Sequence, residues 1–201
     1  MSKIIVACYG APGSRKTTFG EIAERIANAH LFDMGRHLKQ SAKNGDPFCI
    51  DVMHQLSKGV LVSDNGICAY MRENKHLFLS CLVKHKISMC VGFPRTASQC
   101  VDFMQVIRKN VPEACVIGVH VNTPRNVCVE SVFGRAQIEE RDDDADQKAV
   151  DKRFSEYDEN SPFVVPFLSQ YSDEFFEIDG TEMKRDAPKF LSEIGLELVP
   201  A

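Results

Sequence analysis

The sequence predicts an α/β fold in which helices cover both faces of a five-stranded parallel sheet. Short runs of consecutive apolar residues are typical of parallel strands that are buried on both faces. Longer stretches with helical periodicity separate these runs along the chain, and strands that alternate with helices favour a parallel sheet. Because crossovers between parallel strands are right-handed, few topologies remain.

Four of the strands and six helices can be placed along the chain. The strand candidates are apolar runs at residues 3–8, 87–91, 115–121 and, more weakly, 175–178. The helical patterns cover residues 16–29, 64–84, 97–110, 125–135, 146–160 and 183–194. The first strand passes into the first helix through a stretch rich in Gly, Pro and Ser, which is typical of a turn.

We expect one domain with two departures from the simple alternation. A chain of 201 residues has the usual length of a single domain. Residues 33–84 are too many for one crossover helix and are expected to add a helical insertion. Residues 134–146 are very polar and are expected to form a short mobile flap. The core then consists of about residues 1–32, 85–133 and 147–201.

Composition and charge are those of an ordinary globular protein. Hydrophobic residues make up 44% of the chain and charged residues 26%, and the formal net charge is −4. A negative protein would repel a nucleic-acid backbone, so no nucleic-acid partner is expected. No apolar stretch approaches the about 18 residues of a membrane span, and the N-terminal run lacks the pattern of a signal peptide. We therefore expect a cytoplasmic protein with no membrane partner.

The cysteine pattern agrees with a reducing compartment. The eight cysteines are scattered along the chain and include no C-x-x-C pair. Several lie within apolar runs, where a free thiol behaves as a small buried hydrophobic group. Buried reduced thiols are therefore expected rather than a metal site or a disulfide framework.

The residues between the first strand and the first helix match most of a phosphate-binding loop. The Walker A pattern is G-x-x-x-x-G-K-[ST], and here Gly10, Lys16 and Thr17 match it while Arg15 replaces the second glycine. In such a loop the backbone N–H groups curl around phosphate oxygens in front of a helix N-terminus, and the lysine reaches the outer phosphates. The position between strand and helix favours this interpretation over an ordinary glycine turn.

Arg15 and Thr17 have opposite implications for nucleotide binding. Arg15 has a Cβ where the pattern has none, which costs about 1 kcal/mol if the backbone there is left-handed. Either the loop changes shape locally or nucleotide binding is weakened. Thr17 carries the hydroxyl that P-loop proteins use to ligate Mg²⁺. We therefore expect Mg²⁺ as the cofactor, held in part by Thr17.

Four motifs, in the same order, resemble the adenylate kinase family over nearly the whole chain. The family has a GxPGxGKGT loop, a GxLV element, a GFPRTxxQ segment and a flap with an arginine, then RxDD, then a further arginine. Their counterparts here are GAPGSRKTT at 10–18, GVLV at 59–62, GFPRT at 92–96 with Gln99, and Arg135, Arg141, Asp143, Asp144 and Arg153. A single motif of this length can occur by chance, whereas four in the family's order are specific to the family.

The resemblance implies a P-loop kinase of the nucleoside-monophosphate type that uses ATP and Mg²⁺. The catalytic cations that it implies are Lys16, Arg95, Arg135, Arg141 and Arg153. The implied ATP-binding residues are Gly10, Ala11, Pro12, Gly13, Ser14, Arg15, Lys16, Thr17, Thr18 and Arg135. The implied monophosphate-binding residues are Gly35, Lys39, Gly59, Val62, Gly92, Arg95 and Gln99, and the helical insertion at residues 33–84 would be the part that binds the monophosphate. Asp143 and Asp144 would help to fix the closed flap, which excludes water from the transferring group.

The chain departs from the family pattern near the bases and the metal. Residues 33–39 stand where the family usually has S-T-G-D-x-x-R, so Met34 replaces a threonine that helps to place the monophosphate base. Val91 replaces an aspartate that orients Mg²⁺ through water, and Ser131 replaces an arginine that stacks on the donor base. Such stacking is worth about 0.5–2 kcal/mol, so a relaxed donor selectivity is expected. The flap has no cysteine and is similar to the short type without zinc.

The first hypothesis is therefore an active, monomeric nucleoside-monophosphate kinase. It would move the terminal phosphoryl group of ATP to a monophosphate, with AMP as the first guess, to give two diphosphates. The alternative is a catalytically weak or inactive nucleotide-binding relative with a regulatory role, because Arg15, Val91 and Ser131 depart from the pattern. A kinase for another small acceptor is opposed by the motif around Arg95.

Overall fold

The computed structural model describes residues 3–57, 63–139, 146–196 and 198. At its centre is a sheet of five parallel strands in the order β2-β3-β1-β4-β5. The strands are β1 Ile4–Tyr9, β2 His30–Asp33, β3 Ile87–Val91, β4 Cys115–Asn122 and β5 Glu174–Asp179. The predicted fold class is confirmed, and the four strands placed from the sequence begin and end within one residue of their predicted limits.

The strand β2 is the one for which the sequence pattern offers no clear position. It has only four residues, and only Leu31 and Phe32 in its middle are buried. It lies at an edge of the sheet and pairs with β3. A buried run of two residues is too short to be distinguished from the end of the preceding helix.

Two of the predicted helices differ from those of the structure. They are α1 Lys16–Ala27, α2 Met34–Lys43, α3 Pro47–Ser57, α4 Asp64–Glu73, α5 Lys75–Val83, α6 Ala97–Asn110, α7 Arg125–Glu139, α8 Gln147–Tyr171 and α9 Met183–Glu193, with a 3₁₀ turn at Gly180–Glu182. The single helix predicted at 64–84 is wrong, because α4 and α5 meet at Asn74. The side chain and backbone N–H of Asn74 both donate to the Tyr70 carbonyl oxygen, which ends α4.

The helix α8 is much longer than its predicted limit of residue 160 and continues through Pro162 and Pro166 to Tyr171. A proline inside a helix costs about 3 kcal/mol through a lost hydrogen bond and a clash. Val164 and Leu168 are fully buried in the core beside the sheet, and each such burial is worth about 1.5–3 kcal/mol. Packing therefore offsets the two prolines.

The two faces of the sheet contribute to separate hydrophobic cores. Along β1, Ile5, Ala7 and Tyr9 belong to the core shared with α6 and α8, whereas Val6 and Cys8 belong to the core shared with α1 and α9. This alternation follows from the two-residue period of a strand. Both faces are therefore covered by helices. In the described part of the chain, no helix has the length and apolar character needed to cross a membrane.

The cysteines contribute to these cores as thiols. Six of the eight are buried and the other two are half-buried, and none of them forms a disulfide. Burial raises the pKa of the Cys8 thiol to about 12, so this thiol is protonated and unreactive at neutral pH.

The sheet topology brings several chain ends together at one edge. The chain leaves β1 towards β2 on one side and later reaches β4 on the other, so the end of β1 is the switch point at which open α/β sheets bind ligands. In register, Cys8 lies beside Val91 of β3, and Val91 lies beside Asp33 of β2. The loop after β1 therefore starts close to the carboxyl ends of β2 and β3.

Candidate nucleotide-binding site

The loop after β1 is packed tightly against its neighbours. A Cβ on Gly10 would lie 2.5 Å from the carbonyl oxygen of Val121 in β4. Gly13 has a left-handed φ of 77°, and a Cβ there would clash with the carbonyl oxygen of Cys128 in α7. Glycine is therefore required at both positions, because any side chain would displace backbone atoms.

Arg15 adopts a left-handed backbone conformation with a φ of 68°, immediately before α1. For a residue with a Cβ this conformation costs about 1 kcal/mol. The guanidinium donates to the carbonyl oxygens of Gly180 at 3.4 Å and Thr181 at 3.3 Å, in the turn after β5. The loop thus keeps the backbone conformation that suits glycine, and the arginine side chain links it to the end of β5.

Lys16 is bound to the loop that precedes it. Its Nζ donates to the carbonyl oxygens of Gly10 at 2.8 Å and Ala11 at 2.6 Å, and to Ser14 Oγ at 3.0 Å. Ser14 is fully buried. All three ammonium donors are used in this way, so a phosphate that binds Lys16 would replace loop oxygens as the acceptor.

Two guanidinium groups from other parts of the chain lie near Lys16. Burial, together with the nearby guanidinium groups of Arg95 and Arg153, lowers the pKa of Lys16 from 10.5 to about 7. Arg95 follows β3 and Arg153 lies on α8. Because these cations repel one another, a bound anion would relieve the repulsion. The arrangement suits a phosphate group.

Arg95 is positioned by the turn between β3 and α6. Its backbone N–H donates to Gln99 Oε1 at 2.9 Å, and its Nε donates to the carbonyl oxygen of Gly92 at 2.9 Å. Gly92 has a left-handed φ of 77°. Thr96 caps α6 by accepting from the Gln99 N–H at 3.3 Å. The GFPRT motif therefore folds into a turn that holds the Arg95 backbone and its guanidinium Nε in place.

Gln99 is held by Asp64, a residue for which no role was predicted. Gln99 Nε2 donates to Asp64 Oδ1 at 2.8 Å, and Ser98 Oγ donates to Asp64 Oδ2 at 3.0 Å. Asp64 is the first residue of α4, and Ser63 caps that helix. Gln99 is buried, with 5% of its surface exposed. The Ser-Asp pair of a helix start, directly after GVLV, is the sequence signal that points to Asp64.

Asp33, at the junction of β2 and α2, lies beside Thr17 of the phosphate loop. Asp33 is the N-cap, and its Oδ1 accepts from the Arg36 N–H at 3.1 Å. Its Oδ2 accepts from Thr17 Oγ1 at 3.4 Å. The Arg36 guanidinium bonds instead to Glu21 of α1 at 2.8 Å, and both side chains are exposed. A carboxylate from β2 is thus placed beside the hydroxyl of the loop.

The other predicted site residues are more scattered. Gly35 and the exposed Lys39 lie on α2, where Lys39 borders a shallow hollow between α2 and α3. Arg135 lies towards the end of α7. Pro12 is half-buried and Thr18 is exposed. Five predicted residues lie outside the described part of the chain, namely Gly59, Val62, Arg141, Asp143 and Asp144.

Comparison with known proteins assigns the family. An adenylate kinase of Xylella fastidiosa (strain M12) is 32% identical over 163 residues, which are 80% of this chain and 83% of the relative. The chain belongs to the adenylate kinase family. The predicted resemblance is therefore confirmed.

Other members of the family are more distant. An adenylate kinase of Schistosoma mansoni is 26% identical over 167 residues, 83% of this chain and 80% of the relative. A GTP:AMP phosphotransferase of Plasmodium falciparum (isolate 3D7) is 26% identical over 130 residues, 65% of this chain and 53% of the relative. No protein-family model matches the chain. The members named here are nucleotide phosphotransferases, which fits the anion site around Lys16.

Proposed function

We propose that the protein is an active nucleoside-monophosphate kinase that transfers the terminal phosphoryl group of ATP to AMP and forms two ADP molecules. The observation that carries this proposal is that Arg95 and Arg153 lie close enough to Lys16 to lower its pKa. Lys16 belongs to the donor loop, Arg95 to the monophosphate motif and Arg153 to the helix that follows the predicted flap. Cations from the donor loop and from the monophosphate motif therefore lie near one another, where they could bind one phosphoryl group.

The donor half of the site is the loop from Gly10 to Thr18. The helix α1 begins at Lys16, so the unpaired N–H groups of its first turn lie directly behind the loop. Backbone N–H groups and the partial positive charge of a helix N-terminus attract phosphate oxygens. On ATP binding, Lys16 would exchange the carbonyl oxygens of Gly10 and Ala11 for the outer phosphates.

Arg95 and Arg153 would act on the group in transit. Phosphoryl transfer places negative charge on the equatorial oxygens of the transferring group, and catalysis consists mainly of positioning and charge stabilisation. The planar guanidinium can bind two such oxygens at once. The acceptor is already a phosphate anion, so no general base is required. Arg135 and Arg141 would add to this set when the predicted flap, with Asp143 and Asp144, closes over the site.

AMP is proposed as the acceptor. The names of the relatives specify adenylate or AMP. In the family pattern Gln99 is a position that reads the monophosphate base, and here it is buried and is held by Asp64 and by the backbone of Arg95. Met34, where the family has threonine, is buried at 3% exposure and lies beside Gly92. The amide of Gln99 would therefore be the main polar contact to the acceptor base.

Mg²⁺ is proposed as the cofactor that accompanies ATP. It would neutralise charge on the outer phosphates and help to align them. The Thr17 hydroxyl, in the first turn of α1, fits this cation, and the Asp33 carboxylate lies beside it. Within the described ranges, no group of three or more His, Cys, Asp or Glu side chains could hold a metal. The cation would then be held largely by phosphate and water, as is usual for Mg²⁺.

An assay over several acceptors tests this function. ATP and Mg²⁺ are mixed with AMP, CMP, UMP, GMP or dTMP, and diphosphate formation is followed. We expect turnover with AMP that Lys16→Ala abolishes, while Lys109→Ala, an exposed lysine at the end of α6, leaves it unchanged. Nucleotide binding without turnover on the whole panel would instead support the inactive, regulatory relative. We also propose a cytoplasmic monomer, which gel filtration and cell fractionation would test.

A further inference from the structure

Thr17 and Asp33 form a pair of oxygen ligands that comes from two separate elements. Thr17 lies in the first turn of α1, and Asp33 ends β2 and caps α2. Thr17 Oγ1 and Asp33 Oδ2 are 3.4 Å apart. A hydroxyl–carboxylate hydrogen bond normally measures about 2.5–3.0 Å, so this contact is too long to be a strong bond. Both residues are half-buried, and Thr17 directly follows Lys16 in the chain.

The end of β3 lacks the carboxylate that the family pattern places there. Val91 ends β3 and lies in register between Cys8 of β1 and Asp33 of β2. The carboxylate that precedes GFPR in the family pattern is therefore replaced by a buried valine with 3% exposure. At the fourth position of the 33–39 segment, where the pattern has a further aspartate, Arg36 points to Glu21. The chain's own carboxylate at this edge is on the neighbouring strand.

We propose that the Thr17 hydroxyl and the Asp33 carboxylate are the protein ligands of Mg²⁺ and that they replace the carboxylate missing at position 91. This inference rests on the proposed function and specifies its metal site. Two oxygens bound in adjacent positions to Mg²⁺ at 2.0–2.1 Å lie about 3 Å apart. The observed 3.4 Å needs only a small approach of the two side chains. Phosphate oxygens and water would complete the octahedron.

The proposed ligands, a hydroxyl and a carboxylate, are those that P-loop proteins generally use for Mg²⁺. A P-loop hydroxyl at the position after the lysine ligates Mg²⁺ directly, and an aspartate at a strand end supplies the negative charge. Here the hydroxyl is Thr17, where the family pattern has glycine, and the charge is Asp33. Gain of a hydroxyl and relocation of a carboxylate thus occur together at atoms in contact.

The test compares binding of a non-hydrolysable ATP analogue with Mg²⁺ and in EDTA, using calorimetry, in the wild type and in Asp33→Asn. Asparagine caps helices as well as aspartate does, so α2 is retained while the charge is removed. We expect the metal-dependent gain in affinity to fall about 10-fold or more, with affinity in EDTA unchanged or slightly higher. Mn²⁺ bound in the ternary complex, measured by electron paramagnetic resonance, should weaken in parallel.

Matched variants separate the site from general damage. Thr17→Val removes the hydroxyl at constant shape and should lose the metal-dependent gain, whereas Thr17→Ser should keep it. Asp46→Asn changes another aspartate that bonds a backbone N–H at a helix start, that of Cys49 at 2.8 Å, and should have no effect. An unchanged metal dependence in Asp33→Asn would overturn the proposed site. A wild type that binds no nucleotide in either condition would overturn the kinase function itself.

Discussion

Arg15 donates a hydrogen bond to the carbonyl oxygen of Gly180 at 3.4 Å and so joins the phosphate loop to the turn after β5. Gly180 has no room for a side chain, because a Cβ would clash with Thr123 Oγ1 and lie 2.8 Å from the carbonyl oxygen of Ser14. Thr123 Oγ1 donates to that same Ser14 oxygen at 3.3 Å. The loop and the segments after β4 and β5 are therefore one packed unit.

Substitution of Arg15 separates backbone strain from side-chain contact. Arg15→Gly removes the strain of the left-handed backbone, whereas Arg15→Ala keeps the strain and loses the guanidinium contacts. We expect the free energy of unfolding of Arg15→Gly to exceed that of Arg15→Ala by about 1 kcal/mol. Urea denaturation measures both variants. Equal stability would contradict the left-handed conformation at this residue.

Two glycine-to-alanine variants test how closely the loop is packed. In Gly13→Ala, the new methyl group meets the carbonyl oxygen of Cys128 on a left-handed backbone, and we expect a loss of about 2–4 kcal/mol in the free energy of unfolding. Gly134→Ala is the control in α7, where, among the described residues, no atom beyond the chain neighbours and the local helix backbone lies within 4 Å of the added methyl group. It should gain about 0.5–1 kcal/mol. Similar shifts of the melting temperature in the two variants would contradict this packing.

The lowered pKa of Lys16 predicts proton uptake on nucleotide binding. Since this pKa is about 7 in the free protein, Lys16 is mostly neutral at pH 8.5, and a bound phosphate favours the ammonium form. ATP binding should therefore take up close to one proton at pH 8.5, and affinity should fall as pH rises above about 7. Calorimetry in two buffers with different ionisation enthalpies measures the uptake. Lys16→Met should abolish it, and a wild type without uptake would refute the shifted pKa.

Asp64 is expected to control acceptor binding through Gln99. Asp64→Ala removes the carboxylate that Gln99 Nε2 and Ser98 Oγ share. Loss of a positioned hydrogen bond of this kind, worth about 1.4 kcal/mol, should raise KM for AMP about 10-fold and leave KM for ATP unchanged. The control is Asp102→Ala, which removes another contact between α4 and α6, to Arg72. Equal effects on the two KM values would rule out a role specific to the acceptor.

Most of the fold is predictable because strong local patterns coincide with it. The runs of β1, β3 and β4 are continuous and buried, so they stand out in the sequence. In contrast, β2 has two buried residues, and the length of α8 depends on tertiary packing of Val164 and Leu168 that offsets two prolines. Local propensity carries no information on such contacts.

The site residues also differ in how far the sequence alone predicts them. Lys16, Thr17 and Arg95 belong to contiguous motifs and are recognisable without coordinates. Asp33 and Asp64 bond to residues that are distant along the chain, and these partners become visible only when the sheet order and the α4–α6 contact are known. Arg153 is likewise far from Lys16 along the chain, and its effect on the pKa of Lys16 becomes visible only in the folded protein.

The central claim is direct transfer between two nucleotides, and phosphorus NMR of an equimolar mixture of ATP, AMP and Mg²⁺ tests it most directly. We expect ATP and AMP to disappear at equal rates, with two ADP formed per ATP consumed and no inorganic phosphate. Conversion of ATP to ADP and inorganic phosphate with AMP unchanged, or no conversion at all, would contradict the account.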